Sequence, residues 1–410
     1  MLSVNFQREG FTEKERRNID ILEILRRHGP VSRPDISKEI GINVVTISSY
    51  IDNFIRNNLV YEKELDHSEG GRRPTLLDLN PQGGYTIGLG LNLMNMVGLL
   101  VDLKGNIIAK TQIAKPRASV KEVTECVLEI IREILRRSKE YTLDIKGVGL
   151  GLAGLINKKD GSINWPQKMG HYYTYASVDI PMVELIEKEF NLPVLIENDA
   201  TCACFGEHWL DLGSKFKNII YMFSGVGCGI MINGEVYTGA KGYAGETSIY
   251  NYKEDDLFNC ALGNSCFLKR WEADLGIVED TRAMLQKDTK AAEKFFKLTS
   301  SNIDNLDLKS VFIASRSQDE TAVSALNMAA KRLGIKAAYL INLLNPEVVI
   351  IGGGLEEAGE DFLNKVNSTV RDWAFRESVE GLKVAYSQLR ENAVALGAAS
   401  LVTQRIFAGL

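Results

Sequence analysis

Apolar residues recur at helical spacing in three short segments near the start of the chain. The first segment carries Ile19, Leu22 and Leu25 three residues apart, which predicts one buried helical face. The third segment is the clearest, because its apolar positions follow the spacing i, i+3, i+4, i+7, i+8 of an amphipathic helix. Those positions are Ile47, Tyr50, Ile51, Phe54 and Ile55. The pattern predicts helices that pack around a common core.

Capping signals separate these helices. Ser32, with Asp35 three residues later, predicts the start of the second helix, and Gly41 suits the left-handed residue that follows it. Asn43 then caps the third helix. Two strand-like segments follow and enclose an acidic tip that contains glycine. This order of elements predicts a winged helix-turn-helix domain over residues 12–79.

Beyond Pro81 the pattern changes to apolar strands, punctuated by glycine, that alternate with amphipathic helices. The predicted elements are, in order, strands 85–91, 96–103 and 106–110, helix 120–137, strand 145–151, helix 182–190, strand 194–197, helix 200–212, strands 218–223, 230–232 and 235–237, a mostly helical stretch over 280–345, and strand 348–351. Asn233-Gly234 predicts a two-residue hairpin turn. The alternation is typical of a mixed α/β architecture.

Composition narrows the class of protein. The 410 residues are 45% hydrophobic and 25% charged, which is usual for a globular chain with several domains. Six cysteines do not form a disulfide scaffold, so a cytoplasmic protein is expected. The first residues lack the apolar core of a signal peptide, and no apolar run approaches the ~20 residues that span a bilayer. No membrane partner is expected.

The third helix of the predicted winged domain is the one that would enter the major groove of DNA. Its predicted solvent face carries small hydroxyl and apolar side chains, which can lie close to base edges. The candidate DNA contacts are Val45, Thr46, Ser48 and Ser49 on this helix, Arg33 before it, and Gly70, Gly71, Arg72 and Arg73 after the hairpin tip. Two glycines and two arginines in a row suit the narrow minor groove of A·T-rich DNA.

Bulk charge does not support this interpretation of the N-terminal part. Residues 1–79 hold 12 Lys and Arg against 13 Asp and Glu, and the net charge of the whole chain is −5. DNA binding therefore depends on where single arginines lie. The alternative for Arg72-Arg73 is a solvated turn without a DNA contact.

Several segments in the order of the chain resemble one family. Residues 32–60 and 69–80 resemble the N-terminal domain of ROK-family transcriptional regulators (repressor, open reading frame, kinase). The later matches are AGLINKKDG from Ala153, IENDATCACFGE from Ile196, SGVGCGIMINGEVY from Ser224, GYAGE from Gly242 and NLLNPEVVIIGGGL from Asn342. The resemblance implies an actin-like, two-lobed sugar-kinase fold with a sugar cleft between the lobes. It places the lobes at 80–200 and 201–390, with a C-terminal helix over 391–410 that returns to the first lobe.

The positions at which this chain departs from the family pattern indicate whether it is a kinase or a regulator. ROK kinases open the fold with Asp-x-Gly-Gly-Thr, whose Asp supports Mg²⁺ and whose glycines admit the phosphates. Here Gly90 stands at the Asp position, Asn92 and Leu93 replace the glycines, and Met94 replaces the Thr. We therefore expect no ATP, no other cofactor and no kinase activity. The glycines that remain in the second hairpin, from Gly225 onward, are expected to serve turns and close packing.

The residues that match the family's sugar-binding positions are better preserved than the phosphate-binding motif. Asn198 and Asp199 match the sugar-binding Asn and the catalytic Asp of the family, and Glu246 matches a further sugar-contacting carboxylate. Without ATP, Asp199 can still accept a hydrogen bond from a sugar hydroxyl. Gly154 and Gln167 are weaker candidates for ligand contact. The alternative for Asn198-Asp199 is a strand-end turn that caps the following helix.

The family's zinc site is expected to be absent. The resemblance aligns Ile249 with the zinc-binding His and Leu262 with one zinc-binding Cys, which leaves Cys260 and Cys266. Two thiolates do not make a structural Zn²⁺ site. A rebuilt metal site is the alternative, with ligands from His171, Glu254, Asp255 or Asp256. Cys202 and Cys204 are expected to be small buried residues instead of ligands.

Together these features predict a transcriptional repressor of carbohydrate-utilisation genes. The expected partners are double-stranded operator DNA, pseudo-palindromic and leaning to A·T, and a sugar or sugar derivative as effector. A homodimer or a dimer of dimers is expected, because two-fold operators match two-fold proteins. Two alternatives stay open: an ATP-dependent ROK sugar kinase with a DNA-binding arm, and a regulator controlled by a protein partner.

Overall fold

The computed structural model describes residues 10–63, 75–92, 94–114, 120–139, 143–169, 172–210, 215–223, 227–247 and 275–409, without the side chains of 120–121 and 164–178. Within these ranges no helix is both long and apolar enough to cross a membrane. The mixed helix and strand architecture that the sequence predicts is confirmed.

The N-terminal part is three helices with a small antiparallel sheet. Its elements are α1 (Glu13–His28), β1 (Val31–Ser32), α2 (Arg33–Ile40), α3 (Val44–Arg56), β2 (Val60–Lys63) and β3 (Leu76–Leu79). The sheet has the order β1-β3-β2, as a winged domain requires. The capping predictions are confirmed: Ser32 accepts a hydrogen bond from the backbone of Asp35, Asn43 accepts one from Thr46, and Gly41 has a φ of +76°.

A first five-stranded sheet follows, with the strand order β11-β7-β4-β5-β6. Its members and the helices that cover one face are β4 (Tyr85–Leu91), β5 (Asn95–Asp102), β6 (Ile107–Ala114), α4 (Val120–Lys139), β7 (Ile145–Leu152), α5 (Met182–Phe190) and β11 (Val194–Asn198). The first three strands are antiparallel, and β4, β7 and β11 are parallel. A separate sheet of β8 (Leu155–Asn157), β9 (Ser162–Met169) and β10 (Tyr172–Ile180) is absent from the sequence predictions.

A second five-stranded sheet repeats this arrangement, with the order β14-β13-β12-β15-β16. Its strands are β12 (Ile219–Phe223), β13 (Gly227–Ile232), β14 (Glu235–Val236), β15 (Val348–Gly352) and β16 (Lys383–Tyr386). Its helices are α7 (Ile277–Lys287), α8 (Thr289–Thr299), α9 (Leu308–Arg316), α10 (Glu320–Leu344), α11 (Glu360–Trp373) and α12 (Arg376–Val379). Again a β-meander leads into parallel strands. Two sheets of the same topology agree with the two-lobed fold that the resemblance implies.

Two helices, α6 (Asp199–Leu210) and α13 (Ala393–Ala408), lie between the sheets. Helix α13 packs on the backbone of the first sheet: a Cβ added at Gly88 would lie 2.0 Å from the carbonyl oxygen of Ala395. Helix α6 packs equally closely on β13, since a Cβ at Gly229 would lie 2.3 Å from the carbonyl oxygen of Ala200. The close-packing role expected for glycines of the second hairpin is confirmed at Gly229.

The winged domain is joined to this helix pair by a buried contact. The amide of Asn18 on α1 donates to the carbonyl of Ala408, 3.2 Å away. The guanidinium of Arg26 lies 4.9 Å from the ring centroid of Trp209 and donates to the Trp209 carbonyl. The ring of Trp209 also packs on Phe407. One continuous apolar core therefore includes the winged domain, α6, α13 and one face of the second sheet.

Candidate functional site

The strongest sequence candidates lie where β11 ends and α6 begins. The side-chain oxygen of Asn198 accepts hydrogen bonds from the backbone N–H groups of Ala200 (3.0 Å) and Thr201 (3.2 Å). Asn198 therefore caps α6, as predicted for an Asn at the end of a strand that precedes a helix. The carboxylate of Asp199 lies in the first turn of α6 and is 6% exposed. Capping uses the Asn198 carbonyl oxygen and leaves its amide NH₂ as the group that can donate to a ligand.

Glu246 is held beside this corner by the loop that precedes it. Gly245 has a φ of +99°, and a Cβ there would lie 1.9 Å from the carbonyl oxygen of Cys228, so only glycine fits. The Cys228 N–H donates to the Gly245 carbonyl at 2.8 Å, and Glu246 forms a β-bridge with Gly227. Because Gly227 faces Ala200 at the start of α6, this loop brings Glu246 toward Asp199.

Electrostatics connect the two acidic groups. Glu246 is exposed by its accessible surface, yet the surrounding protein partly desolvates its carboxyl group and raises its pKa to about 7. The second cause of this increase is the negative charge of Asp199. Glu246 therefore changes its protonation state near neutral pH. It can donate a hydrogen bond to a ligand when protonated and accept one when ionised.

Two residues beside this corner carry no signal in the sequence. The ammonium group of Lys158, in the turn after β8, forms a 2.7 Å ion pair with Glu197. Glu197 is 7% exposed, and its carboxylate also accepts a hydrogen bond from the backbone N–H of Asn198 at 2.8 Å. The pair therefore fixes the backbone at Asn198. The sequence alone does not reveal this ion pair, because Lys158 and Glu197 are distant along the chain.

The remaining ligand candidates are only partly described. Gly154 lies in the bend between β7 and β8 with a φ of +122°, a conformation that favours glycine. Gln167 lies on β9, and its side chain is outside the described part of the chain.

The segment that is expected to lack a metal also lies outside the described residues. It contains Ile249, Cys260, Leu262 and Cys266. In the described ranges no cluster of three or more His, Cys, Asp or Glu residues could hold a metal ion.

The turn of the first sheet that the resemblance aligns with the phosphate-binding loop of the kinases is closely packed. A Cβ at Gly90 would lie 2.6 Å from both the Ala395 backbone nitrogen and the Val394 Cβ, so an aspartate does not fit there. Asn92 is 4% exposed and closes its own turn, because its side-chain oxygen accepts from the backbone of Met94 and Asn95. Met94 packs against the apolar core of the second sheet.

The face of α3 that is predicted to read DNA is open. Val45 is 82% exposed, Ser49 is exposed, and Thr46 and Ser48 are half-buried. Arg33 is engaged within the domain, because its guanidinium contacts Asp52 (3.4 Å) and Glu62 (3.1 Å). It therefore ties α3 to the wing strand β2. Gly70, Gly71, Arg72 and Arg73 lie outside the described residues.

Comparison with known proteins identifies the family. The ROK family model matches residues 86–405. The chain belongs to the ROK family. A putative xylose repressor from Caldicellulosiruptor sp. (strain Rt8B.4) is 29% identical over 394 residues, which cover 95% of each chain. A glucokinase from Halalkalibacterium halodurans is 31% identical over 285 residues, which cover 69% of this chain and 84% of the kinase.

A solved structure extends the likeness to the whole fold. The crystal structure of a ROK family transcriptional regulator, a homologue of the Escherichia coli Mlc protein, aligns with a TM-score of 0.71 at 22% identity. The alignment covers 97% of each chain. The predicted fold, in which an N-terminal helical domain precedes a sugar-kinase-like ROK fold, is thereby confirmed.

Proposed function

We propose that this chain is a transcriptional repressor whose binding to operator DNA responds to a sugar-like effector at the Asn198–Asp199 corner. The observation that carries the proposal is the buried contact between the winged domain and the helix pair α6–α13. One end of α6 bears Asp199, and the other end bears Trp209, which packs on Arg26 of α1. A ligand that shifts α6 therefore acts directly on the position of the DNA-binding domain.

The share of this chain that each similar protein matches supports the same function. The xylose repressor matches along 95% of this chain, including the N-terminal part, whereas the glucokinase matches 69%. Asp199 and Glu246 supply two acceptors for adjacent hydroxyls, and Asn198 supplies a donor, which suits a polyhydroxylated ligand. Gly154 and Gln167 complete the proposed ligand contacts.

The proposed DNA surface is the N-terminal half of α3 together with the wing. Val45 and Ser49 lie on its exposed face, and Arg72 and Arg73 would enter the minor groove. A homodimer presents two such surfaces to a two-fold operator.

Selection of duplex DNA by the full-length protein tests this function. We expect enrichment of a two-fold, A·T-rich sequence, and a change of more than tenfold in its affinity when D-xylose or D-glucose is added. The Asp199→Asn variant is the control, since it should keep DNA affinity and lose the response to sugar. Failure to enrich any sequence would contradict the proposed function.

Sugar affinity is expected to depend on pH through Glu246. Binding of hydroxyl donors favours the ionised carboxylate, and the pKa of Glu246 lies near 7. Affinity should therefore rise between about pH 6 and pH 8 and then level off. Calorimetry over this range measures the effect, and Glu246→Gln should flatten it. If sugar affinity depends on pH in the same way in the unmodified protein and in Glu246→Gln, Glu246 does not contact the ligand.

The kinase alternative has the glucokinase similarity and Asp199 in its favour. We nevertheless expect no phosphoryl transfer, because the position of Gly90 has no room for a magnesium-supporting Asp, and Met94, which packs on the core of the second sheet, stands in place of the Thr. A radiolabel assay with ATP and a sugar panel measures this, with a glucokinase as positive control. Sugar-dependent ATP turnover that Asp199→Asn abolishes would establish the kinase instead.

A further inference from the structure

A cavity of about 510 Å³ lies where the winged domain meets both parts of the ROK fold. One wall is α1, through Ile19 and Asp20, and a second is the end of α13, through Leu401 and Gln404. Strand β11, helix α6 and the hairpin of β13 and β14 complete it. The volume is within the roughly 300–1,000 Å³ of small-molecule sites, which favour such domain junctions.

Six charged groups line the cavity, and four of them form ion pairs with each other. The other two are Arg405 and Asp20, and partial desolvation raises the pKa of the Asp20 carboxyl group, an effect that the charge of Arg16 opposes. Arg16 of α1 forms an ion pair with Glu235 of β14, and Lys158 forms the ion pair with Glu197. The guanidinium of Arg405 lies 4.5 Å from the ring centroid of Phe11. A charged ligand that bound one of the four paired groups would have to disrupt its ion pair. The electrostatics therefore favour a neutral ligand.

The rest of the lining is amphipathic. Apolar surface comes from the side chains of Ile19, Leu195, Phe205, Val236 and Leu401. Gln404 and Thr238 add an amide and a hydroxyl that both donate and accept hydrogen bonds. A sugar ring has the same character, with apolar C–H faces and a hydroxylated edge.

We propose that this cavity is a second small-molecule site, specific for a neutral carbohydrate and separate from the Asn198–Asp199 corner. The Lys158–Glu197 pair lines the cavity, and Glu197 directly precedes Asn198 of the first site. Because Glu197 accepts from the backbone N–H of Asn198 at 2.8 Å, occupancy of the cavity is coupled to the first site. Since α1 forms one wall, occupancy also stabilises one position of the winged domain.

Binding of a sugar in the cavity does not depend on the proposed function, whereas the effect of that binding on DNA affinity rests on the proposed function. Titration calorimetry of the full-length chain with D-xylose and D-glucose tests the binding. We expect two binding sites per chain for at least one of these sugars. Gln404→Trp, which fills the cavity, should weaken one site at least tenfold and leave the other. Asp199→Asn should weaken the site at the Asn198–Asp199 corner and leave the cavity site unchanged.

Gln286→Trp, at an exposed position of α7, is the matched control and should keep both sites. A single site that Asp199→Asn removes and Gln404→Trp preserves would overturn the cavity proposal while leaving the proposed function intact. Absence of binding by either sugar would also overturn it. Loss of sequence-specific DNA binding, measured separately, would instead contradict the proposed function.

Discussion

Replacing Val45 with Asp is expected to abolish sequence-specific DNA binding. Val45 is 82% exposed near the start of α3, on the face that the winged domain would present to the major groove. The change removes an apolar contact and places a negative charge among phosphates. One base contact is worth about 1–3 kcal/mol, and repulsion adds to it, so affinity should fall by a factor of roughly 100 or more.

A matched substitution separates this effect from a general effect of charge. Leu298 is 40% exposed on α8, which packs on the neighbouring helices α7 and α9, and Leu298→Asp introduces the same charge there. Fluorescence anisotropy with the selected duplex should show normal binding for Leu298→Asp. Thermal unfolding should be the same for Val45→Asp and the unmodified protein, because an exposed side chain contributes little to stability. Retention of specific binding by Val45→Asp would exclude α3 as the reading helix.

Local chemistry in the sequence was sufficient to predict the winged domain. Ser32 and Asn43 each satisfy backbone N–H groups a few residues away, and Gly41 adopts the left-handed conformation that ends α2. Such signals need no knowledge of the rest of the fold. The resemblance then supplied Asn198, Asp199 and Glu246, and the loop geometry at Gly245 brings the latter two together.

Contacts between distant segments could not be predicted in the same way. The contact of Arg33 with Glu62 is one example, because Glu62 lies 29 residues further along the chain. The hairpin of β9 and β10 lacks a strong alternation, and Pro166 lies within β9. The cavity is likewise built from residues such as Ile19, Leu195 and Gln404, which no local pattern relates. Its existence follows only from the way in which α1 packs on α13.

Substitution of Gly397 by Ala is expected to destabilise the protein and to weaken the effector site. Gly397 lies on α13 where this helix crosses α6, and a Cβ there would lie 1.8 Å from the carbonyl oxygen of Cys202. That separation is far inside van der Waals contact, and neither atom belongs to a flexible side chain. The helices must move apart, at a cost of about 1–3 kcal/mol for an overpacked core. Thermal unfolding should shift down by several degrees.

Gly227→Ala is the control for this change, because among the described residues a Cβ at Gly227 meets only the Ala200 side chain, at 3.9 Å. It should change the free energy of unfolding by less than about 0.5 kcal/mol. Cys202 lies one turn after Asp199, so displacement of α6 by Gly397→Ala should also weaken sugar binding in calorimetry, in the fraction that remains folded. Unchanged stability with unchanged sugar affinity would show that the α6–α13 crossing can relax without consequence. The two ends of α6 would then not be rigidly connected, and the route proposed from Asp199 to Arg26 would fail.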